Sequence, residues 1–414
     1  MPDKYFICPA SNSINKHNET GSIGYLVYQF LLHLGKEAPD SHITAVVSDS
    51  YRVNSFDNVT IFPLIKIRRL SPLSRYVSLL FYVKSFLMFA RRTEYRKAAV
   101  IQHLQPFAPG QTFNLFFLFK DRSKKYVLGP LIGPHVPDVS FSDEDWLASG
   151  SSEGFAGKVF SFISNYLQGI ATLFFKPLNT RTIRNADVIL FTDAYARDAY
   201  KKYISPNQKV QVIGVGAELD VFDRKQVEKD PDNFHILFPG RLQERKGCED
   251  LIRAIAKAIE MDPSLNPVCT VVGSGLLQDR MIDLAAELGI TDRVVFLGGV
   301  ESNHEIAEYY NKADVVCMPA LSDTWVSVVE SLCCGTPVIV TDLASHPEHV
   351  RDGFNGVLVP PRDPDAIANA LLELYGDRNK LKRLSDNAYK EARKKYDWTN
   401  VIRLYISAVS EQLE

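Results

Sequence analysis

Two consecutive doubly wound α/β halves are predicted for this chain of 414 residues. Three observations predict them. Short apolar strands alternate with longer amphipathic stretches, the pattern of a parallel sheet with helices on its faces. The second half repeats that alternation more cleanly than the first. The length exceeds one typical domain and suits two, at about 150 residues each.

In the first half the expected strands are Tyr5–Pro9, Ile43–Ser48, Val59–Pro63, Ala99–Gln102, Lys125–Leu128 and Val188–Phe191. In the second they are His235–Pro239, Val268–Val272, Val294–Leu297, Val315–Met318, Val338–Thr341 and Gly356–Val359. Helical runs such as Cys248–Ile259 and Leu276–Leu288 lie between them. In the first of these, Leu251, Ile255 and Ile259 recur every four residues, one face of a helix. The domains are expected at 1–214 and 234–397, with a charged, turn-rich linker at 215–233. The remainder, 398–414, reads as a final helix packing back toward the first domain.

Composition narrows the class. Hydrophobic residues make up 46% and charged residues 23%, an ordinary globular balance. The formal net charge of −2 argues against a general nucleic-acid binder, which needs a basic field. The six cysteines include no C-x-x-C pair, so buried thiols in a reducing compartment are expected rather than a disulfide framework or zinc site. The amino terminus has no signal-peptide apolar core, and no uncharged apolar run reaches the ~18 residues of a membrane span. A cytoplasmic protein is expected, peripheral at most to the membrane's cytoplasmic face.

Charge is unevenly spread. Tyr51 to Lys125 carries 14 Lys and Arg against 3 Asp and Glu. Inside it lies YVSLLFYVKSFLMFA, Tyr76–Ala90, apolar on nearly all sides. The 66–97 stretch is therefore a candidate contact for anionic lipid headgroups, or else a helix buried against the first sheet. A second apolar stretch, Phe155–Phe175, reads as core or domain packing.

Two segments carry chemistry. In ILFPGRLQERKGCEDLIRAI a strand ends at Pro239-Gly240, and a loop bearing Arg241 and Lys246 leads into a helix near Gly247. Ligands of open α/β sheets bind at the carboxyl ends of strands. Cations beside a helix amino terminus suit an intervening anion, and a diphosphate would satisfy both. The bland alternative is a solvated loop paired with Glu244, Glu249 and Asp250. In DVVCMPALSDTWVSVVESLCCGTPVIVTD a strand ends at Met318-Pro319, and Ser322 or Asp323 can cap a helix starting near Trp325. Its first turn, Thr324, Trp325 and Val326, offers backbone N–H groups to an anion. Glu330, further along, could accept hydrogen bonds from vicinal ribose hydroxyls, or be an ion-paired helix residue.

The ordered runs PGRLQERKG, VVGSGLLQDRMIDLAAELGITDRVVFLGGV, ADVVCMPALSDTWVSVVESLCCGTPVIVTD and GVLVPPRDPDAIANAL resemble glycosyltransferase family 4 over roughly Phe234 to Ser410. The resemblance implies the GT-B fold, two Rossmann-like domains facing a central cleft. It implies a retaining enzyme that uses a nucleotide diphosphate sugar, UDP-linked in preference to GDP-linked, with no other cofactor. In that family the Arg and Lys of the first motif, here Arg241 and Lys246, hold the donor diphosphate beside Gly240. The second Glu of an E-x7-E motif, here Glu330, binds the donor ribose. Gly273 and Gly275, with Val300, resemble the loops flanking the base. Gly21 and Ser22 stand near the family's glycine loop that approaches the phosphates.

The first Glu of that motif is replaced by Ser322, with the shorter Asp323 next to it. This departure bears on the identity of the sugar and on activity itself. His103, ending an expected strand, matches a His that touches the donor sugar in related enzymes, with His135 as competitor. Gly133, in VLGPLIGPHVPDVSF, suggests a close-approach turn on the acceptor side. Acidic D-x-D triplets at 143, 230 and 363 and the HPEH run at 346 lack the setting of a metal site, so none is expected. The expected activity is transfer of a hexosyl-type sugar to a glycan, lipid-linked or small-molecule acceptor, in polysaccharide or glycolipid biosynthesis. The rivals are a GT-B phosphorylase or epimerase, and a catalytically inactive GT-B scaffold.

Overall fold

The structure, a computed structural model, describes residues 4–8, 14–15, 22–47, 50–51, 55–64, 74–104, 112–133, 175–230, 232–322 and 325–410. The side chains of 14, 15, 22, 23, 50, 51, 74–80 and 325 are outside that description. Gly21, Asp323, Thr324, His135 and most of Phe155–Phe175 also lie outside it.

The described residues form two compact units. One contains those up to 133, from 175 to Val215 and from Trp398 on; the other is Gly216–Asp397.

The first unit is built on seven parallel strands in the order β5-β3-β1-β6-β7-β8-β9. Their spans are β1 Lys4–Ile7, β3 His42–Val47, β5 Val59–Pro63, β6 Val100–His103, β7 Lys125–Leu131, β8 Val188–Phe191 and β9 Lys209–Val212. A small parallel pair, β2 Ile14–Asn15 and β4 Ser50–Tyr51, stands apart from the sheet. Strands such as β6 and β8 are buried along their whole length. That is the burial of a sheet covered on both faces, and it explains the unbroken apolar run of β8, whereas β6 buries two polar residues, Gln102 and His103. The helix Trp398–Ser410 completes one face. Trp398, Ile402, Tyr405 and Val409 join the core of Ser22–Glu37, β1 and β3. Tyr405 packs edge-on to Phe30 at 5.0 Å and donates its hydroxyl hydrogen to Gln102 Oε1 at 2.7 Å.

The second unit has six parallel strands in the order β12-β11-β10-β13-β14-β15. They are β10 Phe234–Pro239, β11 Pro267–Val272, β12 Val294–Gly298, β13 Val315–Met318, β14 Val338–Thr341 and β15 Gly356–Val359. The helix Cys248–Met261 buries Leu251, Ile252 and Ile255 as the spacing predicts, while Ala258 takes the buried place expected for Ile259, which is only half-buried. Strand order reverses between β10 and β13, and a crevice opens beyond the carboxyl ends at such a point.

One expectation differs from the structure. Of the expected linker 215–233, the described residues from Gly216 on are anchored to the second unit. Phe222 is buried, Arg224 Nη1 meets Asp386 at 2.8 Å, and Lys225 N donates to Asn311 Oδ1 at 2.7 Å. The charges that read as solvent-facing are spent on helices later in the chain. The apolar stretch 76–90 forms the helix Ser74–Phe89 with Phe81 and Phe89 buried, yet Leu87 is 72% exposed.

All six cysteines are free and buried. Among the described residues no helix is long and apolar enough to cross a membrane.

Candidate functional site

The site is built from backbone first. β10 ends at Pro239, and Gly240 N donates to Val272 O at 2.8 Å, tying the loop after β10 to the end of β11. Leu242 N donates to Ser274 O at 3.2 Å, and Gly273 N donates to Gly298 O at 2.7 Å. On the other side Leu321 N, after β13, donates to Arg245 O at 2.8 Å. Four loops are thereby stitched together over the carboxyl ends of β10, β11, β12 and β13.

Such closeness needs glycine at two places. Gly247 has φ of 75°, and a Cβ there would lie 2.1 Å from Pro319 O. At Gly273, with φ of 141°, a Cβ would lie 2.0 Å from Gly240 O. Any larger residue would push the loops apart.

Side chains are then displayed on this frame. A short 3-10 turn, Glu244–Lys246, precedes Gly247, which begins the Cys248–Met261 helix. Arg241 is exposed and has no ion pair among the described residues. Two of the three acids expected to neutralise it are engaged elsewhere. Glu249 bonds Arg253 at 2.8 Å and Arg280 at 2.9 Å, and Glu244 faces Arg362 at 3.4 Å. Lys246 is half-buried, close enough to the buried His346 to help hold that imidazole neutral, although burial is the main cause.

Ser322, where the first Glu was expected, is fully buried, and its Oγ accepts from Arg245 Nη1 at 3.1 Å. The helix Trp325–Cys333 carries Val326, half-buried, and Glu330, 6% exposed. Tyr310 OH donates to Glu330 Oε2 at 3.0 Å. Burial pushes the Glu330 carboxyl up to about 8 against the pull of that hydrogen bond, and Glu218 adds to the rise. Val300 lies half-buried just past β12, before Ser302, whose Oγ caps the Asn303–Lys312 helix.

Gly240, Arg241, Lys246, Gly273, Gly275, Val300, Ser322, Val326 and Glu330 therefore belong to one unit and one end of its sheet. His103 and Gly133 belong to the other unit. His103 is the last residue of β6 and fully buried. Asn114 Nδ2 reaches its Nδ1 at 3.2 Å, so Nδ1 accepts and the ring proton sits on Nε2. Asn114 Nδ2 also donates to Cys8 O at 2.6 Å. Gly133 lies against Tyr195, whose ring carbons stand 2.7 Å from where a Cβ would be. Ser22 begins the Ser22–Glu37 helix.

Sequence reasoning passed over Arg245, Tyr310 and Asn114 as functional candidates. The only hint for Tyr310 was a large aromatic with a polar tip on an amphipathic helix, which seeks a partner when buried. Among the described residues no group of three His, Cys, Asp or Glu is placed to hold a metal.

Residues 221–391 match the family described as glycosyl transferases group 1. An uncharacterised glycosyltransferase of Methanocaldococcus jannaschii is 30% identical over 245 residues, 56% of this chain and 62% of that protein. A D-inositol 3-phosphate glycosyltransferase of Streptomyces bingchenggensis is 33% identical over 227 residues, 51% of this chain and 50% of that protein. The match thus spans about half to three-fifths of these relatives' length. Among solved structures, sucrose-phosphate synthase from Thermosynechococcus elongatus superposes with a TM-score of 0.69 at 19% identity, covering 99% of this chain and 98% of that one. HepE of Anabaena, solved in complex with UDP, gives 0.64 at 16% identity over 99% and 100%. These likenesses identify the fold as GT-B.

Proposed function

We propose that this chain, whose residues 221–391 are a family 4-type, group 1 glycosyl transferase domain within a GT-B fold, is a retaining glycosyltransferase. It moves a hexosyl-type sugar from a nucleotide diphosphate sugar to a glycan, lipid-linked or small-molecule acceptor. The observation that carries this reading is Arg241, a guanidinium without an ion pair among the described residues, on the loop where strand order reverses.

The chemistry follows from the charges. As the glycosidic bond breaks, negative charge builds on the leaving diphosphate. Arg241 offers a planar fork to its oxygens and Lys246 a point charge, and both stabilise the departing group more than the bound donor. Glu330 accepts from the ribose hydroxyls, fixing the nucleotide in register with those cations. Retention rests on the family resemblance. With no carboxylate nucleophile assigned, the leaving phosphate oxygen takes the acceptor proton on the same face of the sugar. UDP is the favoured nucleotide, supported by related folds solved with UDP and UDP-glucose. The basic, apolar 66–97 stretch supports a lipid-linked acceptor and peripheral contact with an anionic membrane. The free, buried thiols support a cytoplasmic setting.

One observation favours a second reading, a GT-B protein that binds a nucleotide without transferring sugar: Ser322, buried and bonded to Arg245, stands in place of a carboxylate.

A melting screen with UDP-, GDP-, ADP- and dTDP-sugars, followed by product analysis, separates the possibilities. One donor is expected to raise the melting temperature by mass action. The Arg241→Ala/Lys246→Ala variant is expected to melt unchanged alone, and to lose both the donor shift and turnover. A shift without turnover on any acceptor would establish the binding protein. Sugar phosphate or an epimerised donor as product would establish a phosphorylase or epimerase. No shift with any nucleotide would remove the reading.

A further inference from the structure

The two sheets present opposite kinds of rim. The donor loops lie at carboxyl ends of the second sheet. The first sheet carries something different at its amino ends. The residues 91–98 lead into β6, 119–124 lead into β7, and a helix at 175–185 leads into β8.

On this rim most of the exposed side chains are basic or apolar, with Thr93, Asp121 and Ser123 between them. Arg91, Arg92, Arg96, Lys97, Arg122 and Arg184, with Arg181 one turn away, are all exposed, and none is in an ion pair among the described residues. The acids nearby in sequence are Glu94, Asp121 and Asp187, and Asp187 is bonded to Lys120 at 2.5 Å. A chain with a net charge of −2 thus concentrates cations in one place.

The apolar part is equally local. Leu87 is 72% exposed, Phe119 65% and Met88 39%. Phe119 stacks on Phe86 at 5.3 Å, which joins the end of the Ser74–Phe89 helix to the 115–120 segment. Asn185 Nδ2 donates to Phe117 O at 2.7 Å and Lys120 Nζ donates to Asn185 O at 3.0 Å, joining the 175–185 helix to the same segment. That helix borders an open surface hollow of about 540 Å³, lined by Lys176, Pro177, Thr180, Arg181, Arg184 and Asn185.

We infer that this amino-terminal rim of the first sheet is a docking surface for an anionic phospholipid bilayer. Leu87, Met88 and Phe119 enter the headgroup–acyl boundary, while the surrounding cations hold the lipid phosphates. Both terms are needed for stable peripheral attachment, since apolar burial and charge attraction add. The exposed aliphatic side chains favour a bilayer over a nucleic acid, whose phosphates would use the cations and leave Leu87 and Met88 in water. The surface joins residues 87–97 to 119–122 and 181–184. It uses none of the donor-loop residues, so it stands whether or not the chain transfers sugar.

Sedimentation of the full chain with phosphatidylcholine vesicles, alone or mixed with phosphatidylglycerol, tests it. Binding to the mixed vesicles is expected to exceed binding to the neutral ones by about tenfold and to fall with salt. Arg181→Glu/Arg184→Glu and Arg91→Glu/Arg92→Glu should each remove most of that preference. Leu87→Ser/Phe119→Ser should weaken attachment to mixed vesicles while leaving heparin binding unchanged. All three pairs alter exposed residues, and unchanged melting temperatures would show that the variants are folded. Should one fail to fold, the single substitutions Arg184→Gln and Leu87→Ser give the same two readouts. No preference for the anionic vesicles overturns the inference. So does vesicle binding that is unaffected by the Leu87/Phe119 pair and is matched by binding to RNA or heparin, which would mark a polyanion surface instead.

Discussion

Tyr310 and Glu330 sit on neighbouring helices, Asn303–Lys312 and Trp325–Cys333, and share a hydrogen bond of 3.0 Å from phenol to carboxylate. The bond orients a carboxylate that would otherwise be held in place only by its own helix, and it favours the ionised form of a group that burial drives toward neutrality. The ionised form is the better acceptor for ribose hydroxyls.

Tyr310→Phe removes that orientation with little loss of packing. Nucleotide affinity is expected to fall by about tenfold to a hundredfold, the worth of one buried hydrogen bond to a charged group. Discrimination between UDP and its 2′,3′-dideoxy analogue should shrink with it. Titration calorimetry reads both. If wild type binds UDP and discriminates while the variant discriminates equally well, Tyr310 does not position Glu330.

The raised Glu330 pKa has a consequence for stability. Its value is about 8 folded against an ordinary 4.5, so the folded state binds more protons than the unfolded one between those limits. Stability from this group is full at acid pH and declines as pH rises toward 8. His346 and His349 work in the other direction, because burial lowers them to about 4 and about 3. Their contribution is present above the ordinary 6.5 and lost as pH falls through the range below it. Between pH 6.5 and 8, Glu330 therefore titrates without them. Wild-type melting temperature should fall across that interval, and Glu330→Gln should flatten the fall. Parallel curves for the two proteins would assign the slope to other groups.

The contrast between legible and hidden features has a physical basis. β13, VVCM, and β14, VIVT, were readable because strands covered on both faces are nearly continuous apolar runs. β9, KVQV, was not, because an edge strand exposes half of each residue and its Lys209 and Gln211 look like loop. The 216–233 segment read as a linker since Arg224 and Lys229 carry charge. Arg224 finds its partner 162 residues away at Asp386, and a single sequence gives no sign of such a pairing. The site divides the same way. Arg241, Lys246 and their glycines form one contiguous run, so local spacing exposes them. Arg245 and Ser322 are 77 residues apart, and Tyr310 and Glu330 are 20 apart, so their bonds exist only once the sheet brings the loops together.

Gly247→Ala tests how tightly those loops are held. Its positive φ alone costs an alanine about 1–2 kcal/mol. Gly289 has a similar φ of 68° but nothing within 4 Å of an added Cβ, so Gly289→Ala carries the backbone cost alone. At Gly247 the Cβ also meets Pro319 O at 2.1 Å, and the loops after β10 and β13 must separate. Chemical denaturation should show Gly247→Ala destabilised well beyond Gly289→Ala. Nucleotide binding should drop in the first and persist in the second. Equal stabilities would mean that the Pro319 contact yields without cost.

Tyr405 and Gln102 join the last helix to the middle of the first sheet. Gln102 is fully buried on β6; its Nε2 donates to Gly129 O at 2.8 Å and its Oε1 accepts from Tyr405 OH at 2.7 Å. Lys125 Nζ adds a second tie, to the carbonyl of Val409. Tyr405→Phe keeps the ring that packs on Phe30 and leaves Gln102 Oε1 without its donor in a dry core. The cost of an unsatisfied buried acceptor is about 1–3 kcal/mol. A paired Gln102→Leu/Tyr405→Phe variant removes both polar partners and should recover part of that loss, because nothing is then left wanting a hydrogen bond on that side. Urea denaturation of the two single variants and the pair gives the coupling directly. A pair that is as unstable as the sum of its single variants would show that the Tyr405–Gln102 bond adds no coupling to the packing of the helix.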